Sequence, residues 1–326
     1  MFYGRASELT EISNFLRGNQ SVSIVGPHEI GKTSLMMHLM QTESKASLGI
    51  GNEHLFAFID CHALSGCLQS ELITFLCKAV ANVLHTSDLE AEPALKDVIS
   101  NPTWFTFEVA LHKLNLRGLK IVLILDDFEQ LTQNLQLDLH FYNALRSLAG
   151  RFQLAYLTCS TQPLVAITNF NDSKTVLSSP FFNIFTQINL GLLSEAEARE
   201  MIRKRKEAAG VIVSSQLEDF IYQLVGGHPL ALQVACSQAW DNPQDLRRIE
   251  AQTRQELEPH FHNYWRNLSQ AERDFLQHPF ETRMRADSDP SRRIVLRDLT
   301  RKCLLVQIDG SYRYPSKAWA DFVGSQ

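Results

Sequence analysis

Residues 26 to 33 read Gly26-Pro27-His28-Glu29-Ile30-Gly31-Lys32-Thr33, followed by Ser34, and fit G-x-x-x-x-G-K-[ST] without a mismatch. Two glycines at this spacing let a backbone curl until its N–H groups point at phosphate oxygens. The lysine reaches the β- and γ-phosphates, and the Thr33 hydroxyl suits a Mg²⁺ ligand. The flanks decide between a plain Gly-rich turn and an anion site. Ser21-Val22-Ser23-Ile24-Val25 alternates and is β-branched, as a strand should be. Thr33 to Met40 contains no breaker and predicts a helix whose N-terminus faces the anion. Strand, glycine loop and helix, in that order, predict a nucleoside triphosphate held by residues 26–34.

A chain of 326 residues has room for about two or three domains. Its apolar fraction of 44% and charged fraction of 21% are those of a globular protein. The net charge of −5 gives no reason to expect wholesale nucleic-acid binding. Charge is uneven: from Phe261 onward 11 Lys/Arg face 8 Asp/Glu. That asymmetry suits either an anionic partner or a solvated surface. The cysteines at 61, 67, 77, 159, 236 and 303 form no C-x-x-C pair and have no histidine at ligand spacing, so reduced buried thiols are expected. No stretch approaches ~18 consecutive apolar residues, and Met1-Phe2-Tyr3-Gly4-Arg5 has no apolar signal region. These features predict a cytoplasmic protein without a membrane partner.

Apolar spacing predicts helices over Glu8–Arg17, Ser70–Leu84, Phe105–Leu116 and Leu137–Leu148. Leu55–Asp60, Lys120–Asp126 and Phe152–Thr158 read as strands, and polar Glu92–Pro102, with two prolines, as a surface connection. The continuous apolar run of Lys120–Leu125 suits a central parallel strand covered on both faces. Strands alternating with helices predict an α/β fold, a parallel sheet with helices on both faces. From Ser194 the strand signal stops. Helices are expected over Glu195–Ala209, Ser215–Val225 and Pro229–Trp240, with Gly226-Gly227-His228-Pro229 as stop and restart. The pattern changes after Pro259. Ser269 to Glu272 reads as a capping box, Ile294–Lys302 as a helix, and Asp309-Gly310 as the turn of a hairpin. Helices followed by a hairpin suggest a winged helix. The expected domains are 1–190 (nucleotide binding), 191–260 (helical lid) and 261–326 (winged helix).

A second constellation, Asp126-Asp127-Phe128-Glu129, ends the most apolar strand, at the sheet edge where ligands sit in open α/β folds. Asp126 is expected to hold the Mg²⁺ shell together with Thr33. Asp127 is placed to orient or deprotonate an attacking water, and Glu129 is a third catalytic candidate. A helix N-terminus carrying acids is the plainer alternative. At the end of the next strand, Ser160 or Thr161 could sense the terminal phosphate or simply cap the strand.

The order of these motifs resembles the STAND class of P-loop ATPases, within the wider AAA+ group. Phe2-Tyr3-Gly4-Arg5-Ala6-Ser7-Glu8-Leu9 is similar to an N-terminal element that packs on the adenine in that class. Gly26–Thr33 and Leu123–Glu129 look like its Walker A and Walker B motifs. Gly227-His228-Pro229-Leu230-Ala231-Leu232 resembles its lid motif, which would bring His228 and Pro229 to the base and ribose. The tail around Tyr312–Ser316 is similar to its winged helix. The resemblance implies ATP and ADP as ligands, Mg²⁺, and slow hydrolysis. It also implies a switch, closed with ADP and open with ATP, that controls self-assembly or a protein partner. Two departures stand out. Ser160-Thr161-Gln162 carries no arginine where many members have one, and the histidine that some place against the ADP phosphates has no clear counterpart, leaving Ser316 or Lys317. A DNA-acting AAA+ ATPase is the second reading, with Arg292, Arg293, Arg297, Arg301 and Lys302 on phosphates. Trp319 and Phe322 would supply a packing face for a latch or fill the tail's own core.

Overall fold

The computed structural model describes residues 2–86, 93–167, 180–208, 210, 214–240, 242–277 and 290–326; Glu92 and Ala209, at the edges of two expected segments, lie outside them. Contacts divide the chain into two compact units. One holds 6–26 and 32–190; the other holds 1–5, 27–31 and 191–326.

The first unit runs α1 (Ala6–Arg17), β1 (Ser21–Val25), α2 (Lys32–Met40), α3 (Thr42–Ser47), β2 (His54–Asp60), α4 (Gln69–Thr86), α5 (Pro93–Ser100), α6 (Trp104–Leu116), β3 (Lys120–Asp126), α7 (Glu129–Thr132), α8 (Leu139–Arg151), β4 (Leu154–Ser160), α9 (Leu164–Ile167) and β5 (Phe185–Asn189). All paired strands are parallel, in the order β2-β3-β4-β1-β5. β3 buries side chains on both faces. Ile121, Leu123 and Leu125 join the core beneath α4, α6 and α8, while Val122 and Ile124 are buried on the other side. That explains an apolar run without alternation. Local signals set the helix ends. Asp138 caps α8 by accepting from the Phe141 amide, and Thr103 with Thr106 forms a capping box on α6.

Several expectations change here. Glu92–Pro102, expected as a connection, contains α5, which begins at Pro93, where a missing N–H is harmless. β4 starts two residues later than expected and ends at Ser160, so Ser160 is a buried strand residue. α3 and β5 were not expected: α3 spans six residues, and β5 has little apolar periodicity because only Ile188 is buried.

The second unit contains α10 (Glu195–Ala208), α11 (Ser215–Val225), α12 (Pro229–Gln238), α13 (Leu246–Arg266), α14 (Gln270–Gln277), α15 (Pro290–Arg301), β6 (Val306–Ile308), β7 (Ser311–Arg313) and α16 (Lys317–Gly324). Asp309 and Gly310 both take positive φ, 51° and 74°, the twist a two-residue hairpin needs. Ser269 and Glu272 make the expected reciprocal capping box. α13 continues through Pro259, where the sequence pattern suggested a boundary. Leu257 and Phe261 are buried on either side of the proline, and their packing holds the helix together across the lost backbone bond. Trp319 stacks on Phe322 at 5.5 Å and meets Phe261 edge-on at 5.4 Å. These rings therefore fill the core of their own unit. Among the described residues no helix is long and apolar enough to cross a membrane.

Candidate functional site

In the sheet unit, strand order makes the site. β4 lies between β1 and β3, so the strand ends carrying Gly26 and Asp126 flank Cys159 and Ser160. Hydrogen bonds tie this edge together: the Gly26 amide donates to the Ser160 carbonyl at 3.1 Å and the Phe128 amide to the Cys159 carbonyl at 2.8 Å. Lys32 opens α2 and is buried; its Nζ donates to the Gly26 carbonyl at 2.8 Å. Thr33 and Ser34 are exposed on the first turn of the same helix.

Asp126 is buried at the end of β3. Its Oδ1 accepts the Cys159 thiol and, at 3.1 Å, the Asp127 amide. Burial, reinforced by the Asp126 carboxylate, pushes the Cys159 thiol upward, so it remains an S–H donor. Ligand atoms of Asp126, Asp127 and Cys159 all lie within 4.8 Å of one another. Asp127 has a φ of 48°, a conformation Asp tolerates, and its Oδ2 lies 3.1 Å from His62 Nε2. Glu129 sits in the first turn of α7; its Oε1 accepts the Thr161 amide at 3.1 Å, while its Oε2 is buried with no hydrogen-bond partner among the described residues. The Ser160 hydroxyl is spent on the Gln162 carbonyl. Cys159 and His62 were missed from sequence because only the strand order and the turn after β2 bring them to the acids.

The other unit gathers Phe2, Tyr3, Gly4, Arg5, the loop tip Pro27-His28-Glu29-Ile30-Gly31, His228 and Pro229. Within the loop the left-handed residues are Glu29 (φ 63°) and Gly31 (φ 96°); Gly26, expected to share the curl, is not among them. Arg5 is buried, and its guanidinium donates to the carbonyls of Gly191 and, at 3.4 Å, Ile30. The Arg5 amide donates to Glu197 Oε1 at 2.6 Å. Burial would raise the Glu197 carboxyl, but hydrogen bonds from Ser194 and Arg5 hold it below the usual range. Gly4 has a φ of 68°, which favours glycine, and a Cβ there would also push the Glu197 carboxylate, 2.9 Å away, out of place. Glu29 pairs with His260 Nδ1 at 2.7 Å and accepts the Tyr264 hydroxyl. Pro229 is the first residue of α12, and His228 precedes it, 6.1 Å from the Tyr264 ring. The cavity lined by His228, His260, Tyr264 and Trp319 holds about 30 Å³, room for about one water and not for a purine.

His228 carries a pH prediction. Burial pushes its imidazole down to about 4, outweighing the nearby Glu29 carboxylate, although part of the residue surface stays accessible. An unfolded imidazole takes its proton near pH 6.5. Between those values the unfolded chain binds more protons, so stability is intact above about 6.5 and falls as pH drops toward 4. The full shift corresponds to about 3 kcal/mol, and the accessible surface reduces the expected loss to roughly half of that. His54, also lowered by burial, adds the same sign in any variant. His228→Asn should flatten the slope of denaturant midpoint against pH; parallel slopes would reject this assignment.

The family described as Novel STAND NTPase 2 matches residues 17–278. No curated protein matches the sequence. Among solved structures, the Walker-type ATPase of Pyrococcus abyssi is similar with a TM-score of 0.68 at 16% identity, over 99% of this chain and 96% of that one. The ORC2 protein of Aeropyrum pernix in its ADPNP–ADP complexes gives 0.60 at 13% identity, over 99% and 94%. Its ADP form gives 0.55 at 13% identity, over 98% and 94%. At such identities the likeness is one of fold.

Proposed function

We propose that this chain, which belongs to the Novel STAND NTPase 2 family of P-loop ATPases, is a molecular switch operated by ATP and ADP. One observation carries the reading. The loop tip 27–31 groups with the N-terminal motif and the helices after residue 191, while Gly26, Lys32 and the acids belong to the sheet unit. A nucleotide that interacts differently with the loop in its di- and triphosphate forms would bias a two-state equilibrium, as a population shift requires. In this reading Gly26–Ser34 cradle the phosphates, and Phe2–Arg5 with His228 and Pro229 border the adenosine. Residues 191–260 act as a lid, and 261–326 as a winged helix that latches the ADP state. The protein works in the cytoplasm and controls self-assembly or a separate protein partner.

Mg²⁺ fits the donor set. Cys159 and the Asp127 amide both donate to Asp126 Oδ1, and this carboxylate with the Thr33 hydroxyl would offer the hard oxygen donors that Mg²⁺ prefers. Asp127 would orient the attacking water, with His62 steadying its carboxylate, and Glu129 would act through the Thr161 amide it holds. Asp127→Asn should slow hydrolysis with ATP still bound, and Asp126→Asn should weaken the Mg²⁺ dependence. ADP should remain with the purified protein, identified by chromatography of the denatured sample. Nucleotide-free protein that cycles ATP rapidly would reject the switch.

A DNA-acting ATPase is less well supported. Arg297 and Arg301 both pair with Asp298, and Lys302 pairs with Glu272. These three cations are already engaged within their own unit. Duplex binding tighter than about micromolar at physiological salt, lost in Arg292→Ala/Arg293→Ala, would favour it instead.

A further inference from the structure

The P-loop of this chain carries an acid at its tip, and α13 holds that acid from two sides. Glu29 takes a left-handed backbone, φ 63°, which strains a residue with a Cβ and so needs compensating contacts. Its carboxylate reaches His260 Nδ1 at 2.7 Å and accepts the Tyr264 hydroxyl. The two partners are four residues apart, so both project from one face of α13. Burial, with the Glu29 hydrogen bond adding to it, pushes the Tyr264 phenol upward, so it stays a donor. Arg5 holds the neighbouring Ile30 carbonyl. Two consecutive loop residues are thus anchored by groups more than twenty residues away in either direction.

We propose that His260 and Tyr264 are positioning residues for the phosphate loop, acting through Glu29. Their grip sets the left-handed turn at Glu29, and that turn decides where the following N–H groups point. A loop already curled loses less entropy when phosphate arrives, and a loop tied to α13 releases it more slowly. The same link passes the position of α13 to the loop tip. This role rests on the reading that residues 26–34 hold phosphate, but the strap itself exists without ligand.

Hydrogen exchange of the full chain without nucleotide tests the strap alone. Glu29→Ala should speed exchange of the amides between residues 27 and 33 by about tenfold, the scale of one charge-assisted hydrogen bond with a partly exposed ion pair. Tyr264→Phe and His260→Ala should each give a smaller increase. Glu29→Gln, which keeps an acceptor for the Tyr264 hydroxyl, should fall nearest the parent. α11 should exchange as in the parent, showing that the unit stays folded. Loop exchange within twofold of the parent in all four variants would overturn the strap. Release of a fluorescent ADP analogue should then quicken about three- to tenfold in Glu29→Ala and Tyr264→Phe; unchanged release would overturn the positioning role. If the parent binds no nucleotide, the phosphate reading fails, and the exchange result still decides whether α13 shapes the loop.

Discussion

Lys32→Ala should weaken ADP and ATP binding at least about a hundredfold. The ammonium is buried in the first turn of α2, where its Nζ donates to the Gly26 carbonyl at 2.8 Å. In the proposed site it would exchange that neutral acceptor for phosphate oxygens. Two charge-assisted hydrogen bonds at about 1.5 kcal/mol or more each amount to roughly 3 kcal/mol, or about two orders of magnitude in affinity. Alanine is the best helix former and replaces lysine in a first turn, so α2 should persist. Calorimetric titration with each nucleotide and Mg²⁺ measures the loss, and thermal unfolding without nucleotide confirms the fold. Unchanged affinity in a folded variant would move the nucleotide away from this loop.

Gly226→Ala should produce the largest loss of stability from a single methyl group. Gly226 ends α11 with φ 64° and ψ −150°, a region essentially closed to residues with a Cβ. An added Cβ would lie 2.2 Å from the Pro315 carbonyl oxygen and 3.1 Å from its carbon. Backbone cannot swing aside as a flexible side chain can, so the turn before α12 must separate from the segment before α16. Backbone strain of about 1–3 kcal/mol and overpacking of similar size together suggest a loss of about 3–5 kcal/mol. Gly31→Ala supplies the contrast. Its φ of 96° is also unfavourable, but a Cβ there meets nothing within 4 Å. The second variant should lose only the backbone share, about 1–3 kcal/mol. Denaturant titration of both proteins separates strain from steric overlap, and equal losses would show that the approach to Pro315 costs nothing.

Local geometry set by neighbours along the chain was legible in the sequence. The loop between β1 and α2, the acids closing β3, the Ser269–Glu272 capping box and the Asp309-Gly310 turn each use residues a few positions apart. Their geometry follows from backbone sterics and local hydrogen bonds, which the intervening sequence specifies directly. The parallel α/β sheet was legible for a related reason: strands buried on both faces need apolar residues throughout, whatever their neighbours.

Tertiary structure decided the rest. Nothing in the order of residues says that β4 enters between β1 and β3, yet that insertion brings the Cys159 thiol to Asp126. Pro259 reads as a break because local propensity counts its missing N–H, whereas buried Leu257 and Phe261 keep α13 whole. Glu29 reads as one of the variable positions of its motif, and only the packing of α13 gives it His260 and Tyr264 as partners. In each case residues far apart in sequence meet because burying apolar surface brings their elements together. Hydrophobic burial is non-directional, so which polar groups become neighbours depends on the whole packing.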